Sequence, residues 1–347
     1  MPETRFTFCR ICETLCGFEA EIENDRILSL KPDAGHVSTN GYSCIKGRRQ
    51  YEIYNSPDRL LYPLKKVNGK HERISWEQAI REIGQKVNTI TKEYSRDSIA
   101  MYIGTAAGFG VLHPAFAQGF MDGIGSNNMY ASATQDCSNK FAVSRHMYGF
   151  PFTQPFPDLP NTECLIIVGS NLVISQFSFL QAPDPIKQIN DIRERGGRVI
   201  VIDPRKTETA KVAGEHIFIR PGTDVYFYLS FLNEVIHQNG IKHDHVQKHM
   251  TGLDQVLDYA AGWNAEKTAP VTGIPADQLK QLVSTYLHAS GASLFCSTGV
   301  NMGGEGTLAF WIQEVINAVT GNLDRKGGTL VGRGIMDFPK FGVKKGL

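Results

Sequence analysis

Three thiols stand together near the start of the chain, at Cys9, Cys12 and Cys16 in CRICETLC, and a fourth follows at Cys44 in GYSCIKG. Seven cysteines in 347 residues are an odd number at uneven spacing, which does not describe a disulfide framework. Metal binding is the better assignment. C-x2-C-x3-C followed by one distant cysteine suits a cubane 4Fe-4S cluster, which needs four thiolates. A zinc ribbon is the competing assignment, but it normally presents two C-x2-C pairs that close a tetrahedron, and here the second pair is missing. Cys164 and Cys296 lie inside the apolar runs ECLIIV and SLFCS and read as core.

A second set of residues could hold a nucleotide. Gly169-Ser170-Asn171 follows LIIV, a small polar turn that a ligand can approach closely. Asp203-Pro204-Arg205 follows RVIVI, with Thr207 and Thr209 beyond it, so a carboxylate can meet a ribose or a purine N–H edge. Arg220-Pro221-Gly222-Thr223-Asp224 follows HIFI and offers a second carboxylate at the opening of a helix. Each turn alone is weak, because an Asp at a helix start is commonly a cap. Together they point to a nucleotide at the carboxyl ends of parallel strands, where open α/β sheets collect ligands. No G-x-G-x-x-G follows the first strand, and GTAAGFG lacks the Lys-Ser/Thr of a phosphate loop, which disfavours an ordinary NAD or ATP site.

The elements that must position these residues follow from periodicity. Residues 17–31 alternate around Asn-Asp and predict a β-hairpin. Ser75 caps a helix in SWEQAIREIGQKVNTITKEY, and a strand follows at 98–104. Residues 111–124 and 138–148 predict helices, with NNMYA extended between them. ECLIIVGS and RVIVIDPR are uninterrupted apolar runs flanking the helix PIKQINDIRERGG, which predicts parallel strands covered on both faces. The expected fold is therefore α/β: a small β-rich cluster domain, then doubly wound, mostly parallel α/β domains. The divisions expected are 1–60 (cluster), 61–135 (first α/β segment), 136–330 (cofactor-binding α/β domain) and 331–347 (start of a return segment). Hydrophobic residues make up 41% and charged residues 20%, and 36 basic against 35 acidic residues leave +1, so charge balance suggests neither nucleic acid nor an anionic membrane as partner. No apolar run is long enough to span a bilayer, and the start of the chain lacks an export signal, so a cytoplasmic location is expected.

C-x2-C-x3-C…C-x-K-G, the VGSN turn, VIDPRKTETA and RPGTD, in this order, resemble the molybdopterin oxidoreductases of the dimethyl-sulfoxide-reductase superfamily, which includes formate dehydrogenases, nitrate reductases and an acetylene hydratase. The resemblance runs through essentially the whole chain. It implies an oxidoreductase carrying out two-electron chemistry on a small substrate at molybdenum or tungsten held by two molybdopterin guanine dinucleotides, with electrons passing through the cluster. It places Cys9, Cys12, Cys16 and Cys44 on the 4Fe-4S cluster and Lys46 between cluster and pterin. It places Gly169, Ser170, Asn171, Asp203, Pro204, Arg205, Thr207, Gly222, Thr223 and Asp224 on the dinucleotide, and extends to Gly299 in STGVNMGGEGT and Asn322 in INAVTGNLDRKGG.

The implied protein ligand to molybdenum or tungsten is Cys137, with its neighbour Asp136 as the alternative: a soft thiolate against a hard carboxylate. Arg333 in LVGRG corresponds to a region where formate dehydrogenases hold the substrate anion, and a guanidinium could orient an oxyanion by paired hydrogen bonds. Ser138 stands where formate dehydrogenases carry a histidine, and Glu13 stands where the hydratase is expected to carry an aspartate. Family chains continue well beyond the point matching Leu347 and close with a barrel domain expected to be absent here. A separate carboxyl-terminal half, an electron-transfer subunit or a ferredoxin are accordingly the expected partners. A non-catalytic iron-sulfur protein and a non-redox hydratase are the alternative functions.

Overall fold

The computed structural model describes residues 1–108, 110, 112–176, 182–332 and 340. The chain divides into two units, Met1–Ser132 and Ala133–Leu347.

In the first unit, β1 (Glu3–Phe8), β2 (Gly17–Glu23) and β3 (Arg26–Pro32) form an antiparallel sheet. The predicted hairpin is β2–β3, and Asn24 and Asp25 both take positive φ, at 50° and 59°, as a tight two-residue hairpin turn requires. β1 escaped prediction because every residue of ETRFTF is exposed, which leaves no alternation of burial to detect. Helix α1 (Ile45–Tyr54) follows, then a second hairpin of β4 (Leu64–Val67) and β5 (Lys70–Arg73) turning on Asn68-Gly69, whose positive φ values of 50° and 82° again suit the turn. Helix α2 (Trp76–Glu93) begins where predicted, with Ser75 Oγ accepting the Gln78 amide at 3.1 Å. The strand expected at 98–104 is confined to β6 (Met101–Ile103), because Arg96–Ser98 form a 3-10 turn. Helices α3 (Thr105–Gly108) and α4 (His113–Ile124) then lead to β7 (Met129–Ala131), which pairs parallel with β6.

The second unit opens with α5 (Ala133–Asp136), α6 (Ser138–Tyr148) and β8 (Phe156–Pro157), followed by β9 (Cys164–Val168), α7 (Leu172–Ser175) and α8 (Pro185–Glu194). Next come β10 (Arg198–Ile202), α9 (Glu208–Ala213), β11 (Glu215–Ile217) and the helical run α10 (Asp224–His237), α11 (His243–His249), α12 (Leu253–Ala261), α13 (Ala265–Thr272) and α14 (Ala276–His288). The chain returns through β12 (Ala292–Cys296), α15 (Thr298–Asn301), α16 (Gly306–Val319) and β13 (Thr329–Leu330), the last antiparallel to β8. The main sheet has the order β11-β10-β9-β12, and all its pairings are parallel. The chain therefore builds outward from β9 to β11, then crosses back to lay β12 on the other side of β9. That reversal puts a topological switch point between β9 and β12.

Both faces of the sheet are covered, as the uninterrupted apolar runs predicted. Cys164, Ile166 and Val168 of β9, with Ile200, Ile202, Leu294 and Cys296, join a core with α10, α14 and α16. Leu165, Ile167, Val199, Val201 and Phe295 point the other way, onto α8 and α9. Cys164 and Cys296 are thus core residues. No closed barrel occurs among the described residues, and no helix among them is long and apolar enough to cross a membrane. Ile166 is fully buried at the sheet centre. Ile166→Ala is expected to lower stability by about 2–5 kcal/mol, visible as a lower urea midpoint at unchanged slope; a loss under about 1 kcal/mol would mean that this sheet is not the core.

Candidate functional site

In the first unit, the β1–β2 loop carries Cys9, Cys12 and Cys16, and Cys44 occupies the position just before α1. The Cys9 amide donates to the Cys16 carbonyl at 2.8 Å, and the Leu15 amide donates to that of Cys12 at 3.2 Å, which folds the loop back on itself. Leu15 takes the left-handed conformation at φ 47°, a strained choice for a branched residue and a sign that the loop is held by its surroundings. Cys9 and Cys16 are buried against Phe18, Ala20 and Leu30. Burial pushes the Cys16 thiol up to about 12, with further contributions from the negative charges of Cys9, Cys12 and Cys44. Burial likewise raises Cys9, with Cys12 and Cys44 adding and the Lys46 charge opposing. All four sulfurs therefore share one electrostatic neighbourhood, and Lys46, exposed in the first turn of α1, lies within reach of it.

A glycine shapes the wall of that neighbourhood. A Cβ added at Gly47 would lie 3.0 Å from the Phe18 ring and 3.4 Å from Cys9 Sγ, so a larger residue there would crowd the Phe18 ring where α1 approaches the thiols. Among the described residues no group of three or more His, Cys, Asp or Glu is gathered as a ready-made site for one metal ion. Thiolates that each take a separate iron enclose a volume and do not meet at a point.

In the second unit, the predicted residues gather at the carboxyl edge of the sheet. Gly169, leaving β9 with φ 57°, donates its amide to the Ile202 carbonyl at 3.0 Å and accepts the Gly299 amide at 2.9 Å, across the switch point. A Cβ on Gly299 would lie 2.6 Å from the Gly169 oxygen, so the two turns touch backbone to backbone. Ser170 is buried, and its hydroxyl has no partner. Asn171 is a brace: its amide donates to Glu208 at 2.7 Å, and its oxygen accepts the amide and hydroxyl of Thr209 at 3.2 and 2.9 Å. Asp203 leaves β10, and its carboxylate accepts the Arg205 amide at 2.9 Å, while Pro204 and Arg205 are exposed. Thr207 caps α9, accepting the Ala210 amide at 3.1 Å. After β11, Gly222 turns at φ 75°, Thr223 Oγ1 donates to the Arg220 carbonyl at 2.6 Å, and Asp224 opens α10. Burial pushes the Asp224 carboxyl up to about 6; a backbone hydrogen bond opposes the rise and the nearby Asp203 charge adds to it.

Asn322 is not brought to this edge. Its oxygen accepts the amide of Ala292, the first residue of β12, at 3.2 Å, and its amide donates to Tyr286 and Thr320 at 3.2 and 3.1 Å. It is a buried brace at the opposite end of the strand. The TGN pattern gave no means of telling a brace from a ligand contact. Arg333 lies outside the described residues.

Cys137, buried, occupies the position just before α6, and Asp136 closes α5, so Cys137 and not Asp136 stands at the helix's N-cap position. α5 packs on α15, the short helix that contains Gly299, which brings residues 136–137 to the same edge as the turns after β9 and β10. Four polar atoms there are buried without partners: Asp136 Oδ1, Asn139 Nδ2, Ser170 Oγ and Asn301 Nδ2. Each unmatched buried polar atom costs about 1–3 kcal/mol, so such a concentration at a strand edge calls for a polar ligand. Sequence reasoning missed Asn139, Asn301 and Lys140. Lys140 was detectable, since Lys140, Val143 and Ser144 share the buried face of α6 at helical spacing.

The family model for molybdopterin oxidoreductases matches residues 59–338, and the model for the Fe4S4 domain of those enzymes matches residues 3–56. The chain belongs to the molybdopterin oxidoreductase family. It is 28% identical to the F420-dependent formate dehydrogenase 2 subunit alpha of Methanococcus maripaludis, over 92% of this chain and 46% of that protein. It is 25% identical to the assimilatory nitrate reductase catalytic subunit of Bacillus subtilis, over 96% and 47% respectively. The solved structure of acetylene hydratase from Pelobacter acetylenicus superposes with a TM-score of 0.81 at 26% identity, covering 94% of this chain and 45% of that one. This molybdopterin oxidoreductase chain thus spans about half the length of the relatives it matches. The residues present fit both groups that the family implies: Cys9, Cys12 and Cys44 near enough to Cys16 for their charges to act on it, beside Gly47, and a sheet edge with unmatched buried polar atoms.

The raised Asp224 carboxyl gives a pH signature. Its folded value of about 6 exceeds the ordinary 3.8, so its stabilising share is complete below about pH 4 and is lost as pH rises through about 6. In cofactor-free protein, Asp224→Asn is expected to melt above wild type at pH 7, with the gap closing toward pH 4; an unchanged melting temperature at pH 7 would show that Asp224 is not buried in the folded state.

Proposed function

We propose that this chain is the catalytic subunit, or the amino-terminal part of it, of an enzyme performing two-electron chemistry on a small substrate at a molybdenum or tungsten centre held by molybdopterin guanine dinucleotides. The observation that carries this reading is the convergence of Gly169, Gly299, Asp203, Asp224 and residues 136–137 on one sheet edge. Asp203 and Asp224 are paired acceptors suited to guanine or ribose donors, and such donors would relieve the burial that raises Asp224. Gly169 and Gly299 close their segments backbone to backbone, which fixes the edge along which a flat ring system would lie. Ser170 and Asn301 supply unmatched polar atoms to it. Cys137 is the proposed protein ligand to the metal, with Asp136 beside it as the alternative. The bound centre would supply the oxygen-atom or hydride chemistry.

Cys9, Cys12, Cys16 and Cys44 would hold the 4Fe-4S cluster, and Lys46 would assist electron passage by its charge. Because Cys16 is protonated at neutral pH without metal, cluster assembly must release protons. The division into 1–60, 61–135, 136–330 and 331–347 remains our proposal for the functional domains, as does a cytoplasmic location. Relatives named as alpha subunits support an electron-transfer subunit or ferredoxin as partner, and polypeptide matching the other half of the relatives would complete the site. Non-redox hydration is the second reading, favoured by the superposition on acetylene hydratase.

Anaerobic purification followed by metal analysis tests the proposal. The expected protein is brown, with about four irons and one molybdenum or tungsten per complete active site, and releases guanine on acid treatment. Iron without molybdenum, tungsten or guanine would instead make it an electron-transfer or assembly protein. A colourless protein with a single zinc would overturn the cluster as well.

A further inference from the structure

Lys140 is 3% exposed, a cation inside the core of the second unit. Its ammonium donates to the carbonyl of Cys296, the last residue of β12, at 2.7 Å. The rings of Phe310 and Phe295 lie 4.8 and 5.4 Å from it. The neighbouring carboxylate of Glu314 on α16, 2% exposed, accepts from Tyr148 at 2.8 Å and from Gln313 at 3.1 Å. Lys140 and Tyr148 stand at opposite ends of α6, so the helix is fastened to β12 at its first turn and to α16 at its last.

A buried charge costs several kcal/mol to desolvate, and well-packed apolar residues commonly serve stability as well or better. The charge therefore calls for a purpose beyond packing, and its position supplies one. Lys140 lies one helical turn beyond Cys137, and its backbone amide bonds the Cys137 carbonyl at 2.9 Å. The positive end of the α6 dipole points the same way. Cys296 ends β12, so the bond to its carbonyl sets the Lys140 ammonium beneath the carboxyl edge of the sheet, the edge from which Asp203 and Asp224 follow.

Building on the proposed function, we propose that Lys140 is a positioning residue of the metal centre: it fixes residues 136–137 against the end of β12 and holds its ammonium group behind them. A positive charge there stabilises the reduced, more negative state of the centre.

The test uses the complete anaerobic holoprotein, with the midpoint potential of the molybdenum or tungsten couple read by EPR-monitored redox titration. Lys140→Met and Lys140→Gln are expected to move the couple to lower potential by a tenfold change in the one-electron equilibrium, ~59 mV, while Lys140→Arg stays near wild type and the cluster potential moves less. An unchanged couple in a soluble neutral variant overturns the proposal, and so does an arginine variant that shifts as far as the neutral ones. If Lys140→Met does not fold, the comparison of Gln with Arg decides in the same way. Holoprotein lacking molybdenum and tungsten would overturn both this role and the proposed function, whereas a loaded protein with an unmoved couple overturns this role alone.

Discussion

The parallel pairing of β9 with β10 on one side and β12 on the other is the constraint on which the second unit depends. Because β12 is added only after the chain has built out to β11 and returned, its carboxyl end meets that of β9 at a switch point. The meeting is a contact of main chains, Gly299 amide to Gly169 oxygen, with no room for a side chain on either residue. Everything proposed for this unit follows from that contact. It brings the turn after β12 beside the turns after β9 and β10, and through α15 it positions α5 and the start of α6. A substituent at either glycine would separate the two turns and the residues that hang on them.

The same economy of backbone governs the first unit. There a tight loop between β1 and β2 turns three thiols inward, and Gly47 lets α1 bring the fourth. The two units solve a shared problem, that of placing groups which repel each other or lose solvation when brought together. Cys16 and Asp224 are each pushed toward their neutral forms by burial and by like-charged neighbours. Such arrangements destabilise the empty protein and favour a cationic or donor-rich guest, the pattern expected of binding sites.

Much of this was legible in the sequence where local signals are strong. The cysteine spacing, the Asn-Asp hairpin, the Ser75 cap and the apolar runs of β9 and β10 each carry their own physical signature, and the ordered turn motifs identified the family. What escaped depended on contacts between distant segments. β1 has no buried residue to mark it. Asn322 looks like a polar residue in a glycine-rich turn, and only the fold shows that its side chain closes on Ala292, Tyr286 and Thr320. Asn171 and Thr207 stand at the predicted edge but spend their side chains on α9. Lys140 had a helical-face signal, yet its partners on β12 and α16 are far along the chain.

On the function proposed here, four sulfurs in the first unit enclose an iron-sulfur cube and the β9–β12 edge of the second unit binds the pterin cofactor. Anomalous diffraction from crystals of the anaerobically purified protein, collected at the iron edge and at the molybdenum and tungsten edges, tests it most directly. The expected result is an iron peak bounded by Cys9, Cys12, Cys16 and Cys44, and a molybdenum or tungsten peak beside residues 136–137 with ligand density running to Asp203 and Asp224. A zinc peak at the four cysteines, or a pterin bound away from Gly169 and Gly299, would contradict it.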